Sequence, residues 1–152
     1  MADVDLTQEE AEALIAMPKI RTSDDIVYFP GRGNRVTIHL ISDDKRENFI
    51  LDLRRGRIDL HKATYQTRAR QTIVLVRLDI AGAPHRNPDD VEIGCPHLHI
   101  YREGFGTRWA EPLPEERFSN TLDLWKMLQD FMGYCNITRP PNIQKGIEEW
   151  KR

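Results

Sequence analysis

Cysteine is scarce in this chain: Cys95 and Cys135 are the only two among 152 residues, and no CxxC pair occurs. That usage supports neither a disulfide framework nor a zinc knuckle, and both thiols read as small core residues. Long apolar runs are missing as well, since none approaches the ~20 residues of a membrane-spanning helix. The acidic start MADVDLTQEE lacks the basic region and apolar stretch of a signal peptide, so a cytoplasmic location with no membrane partner is expected. There is no Walker sequence, GxGxxG, GxSxG or HExxH, which removes the common nucleotide-binding, serine-hydrolase and zinc-protease readings. No cofactor is expected. Linkers, internal repeats and low-complexity segments are also lacking, so residues 1–152 read as a single domain.

What remains is globular in composition, with 39% apolar and 30% charged residues. The net charge of -2 hides an uneven distribution, because residues 54–86 hold eight basic and two acidic side chains. A local excess of this kind inside an acidic chain marks an anion-binding face, or else a solvated strand surface on which arginine stems cover apolar neighbours.

Two periodicities divide the chain. Thr7 and Glu10 form a capping box ahead of the stripe Ala11, Leu14, Ile15, and Pro18 stops that first helix. From residue 35 the period becomes two: Val36, Ile38 and Leu40 alternate with polar neighbours, and Ser42, Asp43, Asp44 and Lys45 turn the chain into residues 49–53. Further strands are predicted over 58–67, 72–80 and 97–102, with short connections that favour antiparallel pairing. A helical stripe returns at Leu122, Trp125, Leu128 and Met132, with Gly133 as its C-cap, and Ile143, Ile147 and Trp150 predict a last short helix. The expected fold is α+β: a twisted, mainly antiparallel sheet of about five to six strands, an N-terminal helix and C-terminal helices.

Chemistry concentrates between residues 77 and 103. In a strand His97, His99 and Tyr101 share a face, and His85 approaches from the preceding proline-rich loop. Imidazoles exchange protons near neutral pH, so His97 and His99, with His85, are the catalytic candidates for general acid/base cleavage of RNA without a metal. Arg77, Arg86, Arg102 and Arg108 are candidate phosphate ligands, and Tyr101 offers a hydroxyl or a stacking surface. Arg54, Arg55, Arg57, Lys62, Arg68 and Arg70 form a second basic feature, from which Arg55, Arg57 and alternate later positions are expected to line one face of a hairpin. Arg55, Arg57 and Arg68 are its candidate substrate ligands, Tyr65 offers a stacking ring, and Gly56 allows close backbone approach to an anion. A second reading of the same segment is a metal site, with His97 and His99 completed by His85, Asp79 or Glu103. A third makes these histidines structural, satisfying buried carbonyls.

Two resemblances attach to these residues. Val76-Arg77-Leu78-Asp79-Ile80, then GAPHRNPD, then PHLHIYREGFGTRWAEPLP resembles a family of uncharacterised bacterial and mobile-element proteins over about residues 6–125. The order Arg77-x-Asp79, Pro84-His85-x-x-Pro88, Pro96-His97-x-His99 is similar, over some 25 residues, to a group of small toxins from bacterial toxin–antitoxin pairs. That second resemblance implies action on RNA, catalytic roles for His85, His97 and His99, and an antitoxin partner. A mobile-element origin implies an alternative without catalysis: a binder that inhibits a host defence complex, or a nucleic-acid-binding module.

Overall fold

The computed structural model describes residues 5–146. In chain order the elements are α1 (Gln8–Ala16), β1 (Lys19–Arg21), β2 (Ile26–Tyr28), β3 (Arg35–Ser42), β4 (Asn48–Arg55), β5 (Ala63–Ala69) and β6 (Ile73–Ile80). They continue with β7 (His85–Arg86), β8 (Glu92–Ile93), β9 (His97–Ile100), β10 (Ala110–Pro112), α2 (Leu124–Tyr134), β11 (Ile137–Arg139) and β12 (Asn142–Gln144). The fold is α+β, and its main sheet has eight strands in the order β10-β9-β6-β5-β4-β3-β1-β11. Every pair in that sheet is antiparallel except β1 with β11. Two small ribbons, β12-β2 and β7-β8, flank it.

Alternation along the long strands gives the sheet two different faces. Leu53, Tyr65, Leu78 and Leu98 stand opposite one another on β4, β5, β6 and β9, and all are fully buried. They form the core with Leu6, Ala11 and Leu14 around α1 and with Met127, Leu128 and Phe131 of α2. Removing one such side chain, as in Leu98→Ala, carries a cost of about 2–5 kcal/mol. No helix of the described residues is long and apolar enough to cross a membrane.

The capping box at α1 is present in full: the Thr7 side chain accepts from Glu10 N, and Glu10 accepts from the Thr7 backbone. Several other expectations need correction. The sheet exceeds five to six strands because β1, β10 and β11 are three-residue segments, too short to display alternation. The strand expected over 58–67 begins only at Ala63, since residues 56–62 close a turn through Gly56 N to Lys62 O and Lys62 N to Asp59 O, which leaves Ile58 exposed. Among the described residues there is one C-terminal helix. Asp123 caps it by accepting from Trp125 N and Lys126 N, which leaves Leu122 outside the helix and 80% exposed. Gly133 is inside α2; the left-handed residue after its end is Asn136, at φ 57°. Asn142–Gln144 is a strand paired with β2, so Ile143 does not begin a helix, and Ile147 and Trp150 lie outside the described residues.

Candidate functional site

The face opposite the helices is polar, and strand register builds it in rows. One row runs Arg35, Arg54, Thr64, Asp79, His97 across β3, β4, β5, β6 and β9. The next runs Thr37, Asp52, Gln66, Arg77, His99 over the same strands. Residues directly opposite in antiparallel strands share a face, so each row is a line of adjacent side chains. A cavity of about 750 Å³ lies over the rows and is bounded by residues 81–83 and Cys95.

Asp52 braces the floor. It binds Arg68 at 2.7 and 3.0 Å, Gln66 at 2.8 Å and Thr37 at 3.1 Å. Burial alone would raise its pKa, but these donors outweigh burial and hold the carboxyl below its usual range. Arg35 and Arg54, by contrast, face each other across β3 and β4, both exposed, and neither forms a side-chain hydrogen bond or ion pair within the described residues. The same is true of Lys62 on the cavity rim. Like charges directly opposite on a sheet repel, and an anion between them removes the penalty.

At the other end of the rows three imidazoles meet. Ring centroids lie 4.9 Å apart for His97 and His99, 4.6 Å for His85 and His99, and 6.1 Å for His85 and His97. His97 and His99 are 2% and 1% exposed. Each is anchored through Nδ1 to a backbone carbonyl, His97 to Gly94 at 3.1 Å and His99 to Thr107 at 2.7 Å. A carbonyl only accepts, so the chemistry of the partners assigns a proton to each Nδ1. Both Nε2 atoms then face Asp79 Oδ2, each at 3.3 Å. The His99 approach lacks hydrogen-bond alignment, leaving its buried Nε2 without a partner. Burial works to raise the Asp79 pKa, but the His99 contact and the charges of Arg77, His99 and His97 more than offset it and hold the carboxyl well below the usual range. Arg77 flanks the carboxylate, with Nε 3.3 Å from Oδ1.

Loop chemistry sets the third histidine. Asn87 is buried and bonds both backbone groups of Ala110, which pins the β7-β8 hairpin against β10 as an added strand would. His85, on β7, thereby reaches Arg108 O at 2.7 Å through Nε2.

The predicted residues are distributed unevenly about this centre. His85, His97, His99 and Arg77 come together, and Arg68 joins the floor. Arg55 turns to the core side, bonding Pro30 O and Leu60 O over the Phe29 ring; the cavity takes Arg54 instead. Tyr101 follows the end of β9 and is buried, with its hydroxyl on the backbone of Leu6. Arg57 lies in a neighbouring hollow beside Gly33, and Gly56 is required by its own turn, where a Cβ would meet Asp59 O at 2.7 Å. Arg86 pairs with Glu92, Arg102 stacks over Trp109, and Arg108 is exposed. Glu103 caps Gln8 at the start of α1. Cys95 Sγ is 3.5 Å from His97 Nδ1, and burial, then the Asp79 charge, raises its thiol pKa. Arg54 and Lys62 stood in the basic cluster read from the sequence, but Arg35 and Asn87 were not singled out; the available signal for Arg35 was the polar alternation Arg35, Thr37, His39 along β3.

Fold and site together define an antiparallel-sheet protein with helices on one face and a cationic floor, ending in buried histidines, on the other. The chain belongs to the family described as "Family of unknown function (DUF6978)", whose model matches residues 6–137. No curated protein and no solved structure matches the chain.

Proposed function

We propose that the protein binds single-stranded RNA along the polar sheet face and cleaves it beside the histidine centre, as a toxin-type ribonuclease held in check by an antitoxin. The observation that carries this reading is the row in which two arginines without internal partners lead through Thr64 to Asp79 and His97. Arginine forks suit phosphate oxygens, and the row sets them on one line with groups that move protons. In the reaction the ribose 2′-hydroxyl gives its proton to a base as its oxygen bonds phosphorus. The bond from phosphorus to the 5′-oxygen breaks, and that oxygen takes a proton from an acid. His85 is the least buried of the three imidazoles and exchanges protons with substrate, while His97 and His99, anchored through Nδ1, form the buried wall behind it.

A labelled RNA incubated with the purified protein should yield fragments ending in a 2′,3′-cyclic phosphate. DNA of the same sequence lacks the 2′-hydroxyl and should stay intact. His85→Ala should slow cleavage by about 100-fold or more. Arg35→Ala with Arg54→Ala should instead weaken binding and reduce the slope of log affinity against log salt by about two. RNA left whole under conditions in which a control ribonuclease cuts it would overturn the catalytic claim.

Burial of His97 and His99 favours a second reading, a binding module that grips phosphate without cutting. Salt-dependent RNA binding that is equal in wild type and His85→Ala, with no fragments from either, would establish it. An affinity indifferent to salt would remove nucleic acid from both readings.

A further inference from the structure

We infer that Asp79, His97 and His99 are the ligands of a divalent first-row transition ion, with zinc the best match to their spacing. The inference does not rest on the RNA reading, since the site would load in a protein that never meets RNA. One ligand atom from each residue lies within 4.8 Å of the others. The Nδ1 bonds to Gly94 O and Thr107 O turn each Nε2 inward, the orientation that metal-bound imidazoles obtain from outer carbonyls.

Distances separate this reading from an ordinary ion pair. A hydrogen bond from imidazolium to carboxylate closes to about 2.7–2.9 Å. Both Nε2 atoms instead stop 3.3 Å from Asp79 Oδ2: the His97 contact is a long hydrogen bond, and the His99 contact lacks hydrogen-bond alignment. Ligand bonds of about 2.0–2.2 Å at tetrahedral angles place neighbouring donor atoms about 3.3 Å apart. The two separations from Asp79 Oδ2 are therefore those of adjacent corners around one ion, and the whole set, within 4.8 Å, closes onto it on loading. Two imidazoles and one carboxylate suit zinc or iron(II) better than calcium or magnesium, which prefer all-oxygen shells.

The Asp79 side chain is 23% exposed and lines the cavity, so a fourth position opens there for water or a ligand oxygen, as in three-ligand zinc sites of the catalytic kind. Arg77 opposes a dication electrostatically and touches both carboxylate oxygens, Nε 3.3 Å from Oδ1 and Nη2 3.4 Å from Oδ2, the oxygen that an ion would draw away from it. Cys95 Sγ lies 3.9 Å from His97 Nε2 but is not among the ligand atoms that all lie within 4.8 Å of one another.

The experiment is a cobalt(II) titration of the purified full chain after chelator treatment, followed by visible absorption and zinc competition, with no RNA present. One ion per chain is expected, with intense visible bands, no sulfur charge-transfer band, and displacement by zinc. Asp79→Asn and His99→Ala should each weaken uptake by more than about 100-fold. His39→Ala and His61→Ala, at exposed histidines, should leave stoichiometry unchanged. Wild type without saturable uptake, or uptake that survives both ligand substitutions, would overturn the assignment. If the variants fail to fold, the wild-type spectrum decides: a sulfur band transfers the site to a cysteine and sinks this ligand set. A loaded protein that leaves RNA intact would sink the ribonuclease reading alone.

Discussion

Two buried polar clusters stand toward opposite ends of the same sheet, and they differ in whether their hydrogen bonds are complete. Lys19, on β1, is 0% exposed, and its Nζ donates to Ile15 O at 2.8 Å, Met17 O at 2.9 Å and Cys135 O at 2.9 Å. Those carbonyls lie at the C-terminal ends of α1 and α2, where helix carbonyls lack internal donors and the helix dipole favours a cation. The ammonium also sits 4.7 Å from the Phe49 ring centroid. Its three protons are all used, so Lys19 is a structural pin. Toward the opposite edge, His99 is equally buried but keeps an Nε2 that lies 3.3 Å from a carboxylate oxygen without an aligned hydrogen bond. Burial is common to both clusters; what separates them is an unused atom, to which the proposed ion would give a partner.

The largest expected effect tests the pin. Lys19→Met keeps the length of the side chain but leaves three buried carbonyls short of a donor, which should cost about 2–4 kcal/mol in urea denaturation. A loss below about 0.5 kcal/mol would erase the contrast drawn here, because an unused ammonium would then look the same as a used one.

A smaller effect comes from pH. Burial pushes the Lys19 ammonium down to about 8 from its ordinary 10.5. Between those values the unfolded chain binds more protons than the folded one, so stability rises with pH. Burial also pushes the Cys135 thiol up to about 12 from 9.0, and there the sign reverses: from pH 9 to 12 the folded chain keeps a proton that the unfolded chain loses, so stability falls. The Lys19 contribution therefore outweighs the thiol's between pH 8 and 9, where wild type should gain about 1 kcal/mol more than Lys19→Met in denaturation. Cys135→Ala should reduce the later fall, leaving the part that the raised Cys95 thiol and Tyr134 phenol contribute.

The sequence disclosed more of the site's position than of its composition. Pattern alone reached the helix start at Thr7, the hairpin of β3 and β4, and the convergence of His85, His97 and His99, because capping, period-two alternation and motif spacing are local signals. It missed what depends on pairing. Arg54 and Arg55 are neighbours with equal charge, and only the register against Thr64 and Ala63 sends the first to the cavity and the second to the core. Tyr101 shares the parity of the histidines, yet β9 ends at Ile100 and the chain carries Tyr101 away to Leu6. The edge strands β10 and β11 have three residues each and exist because β9 and β1 offer free edges. Lys19 carries no local signal of its burial, because its three carbonyl partners come from the ends of two helices far apart in the chain.

The smallest effect carries the comparison from buried atoms to exposed charge. Arg35 and Arg54 are directly opposed on β3 and β4 and have no partner among the described residues, so they are unused in the same sense as His99 Nε2. An unused pair of like charges should weaken the free protein. Arg54→Thr, which supplies a β-favouring side chain opposite Arg35, should raise stability by about 0.2–1 kcal/mol in the absence of ligand. With a short RNA present the order should reverse, because wild type gains binding energy that the variant has lost. If Arg54→Thr destabilises the free protein, the two arginines are already held by the fold and the polar face is not a docking surface. If it stabilises the free protein and RNA makes no difference, the face is built for an anion other than RNA.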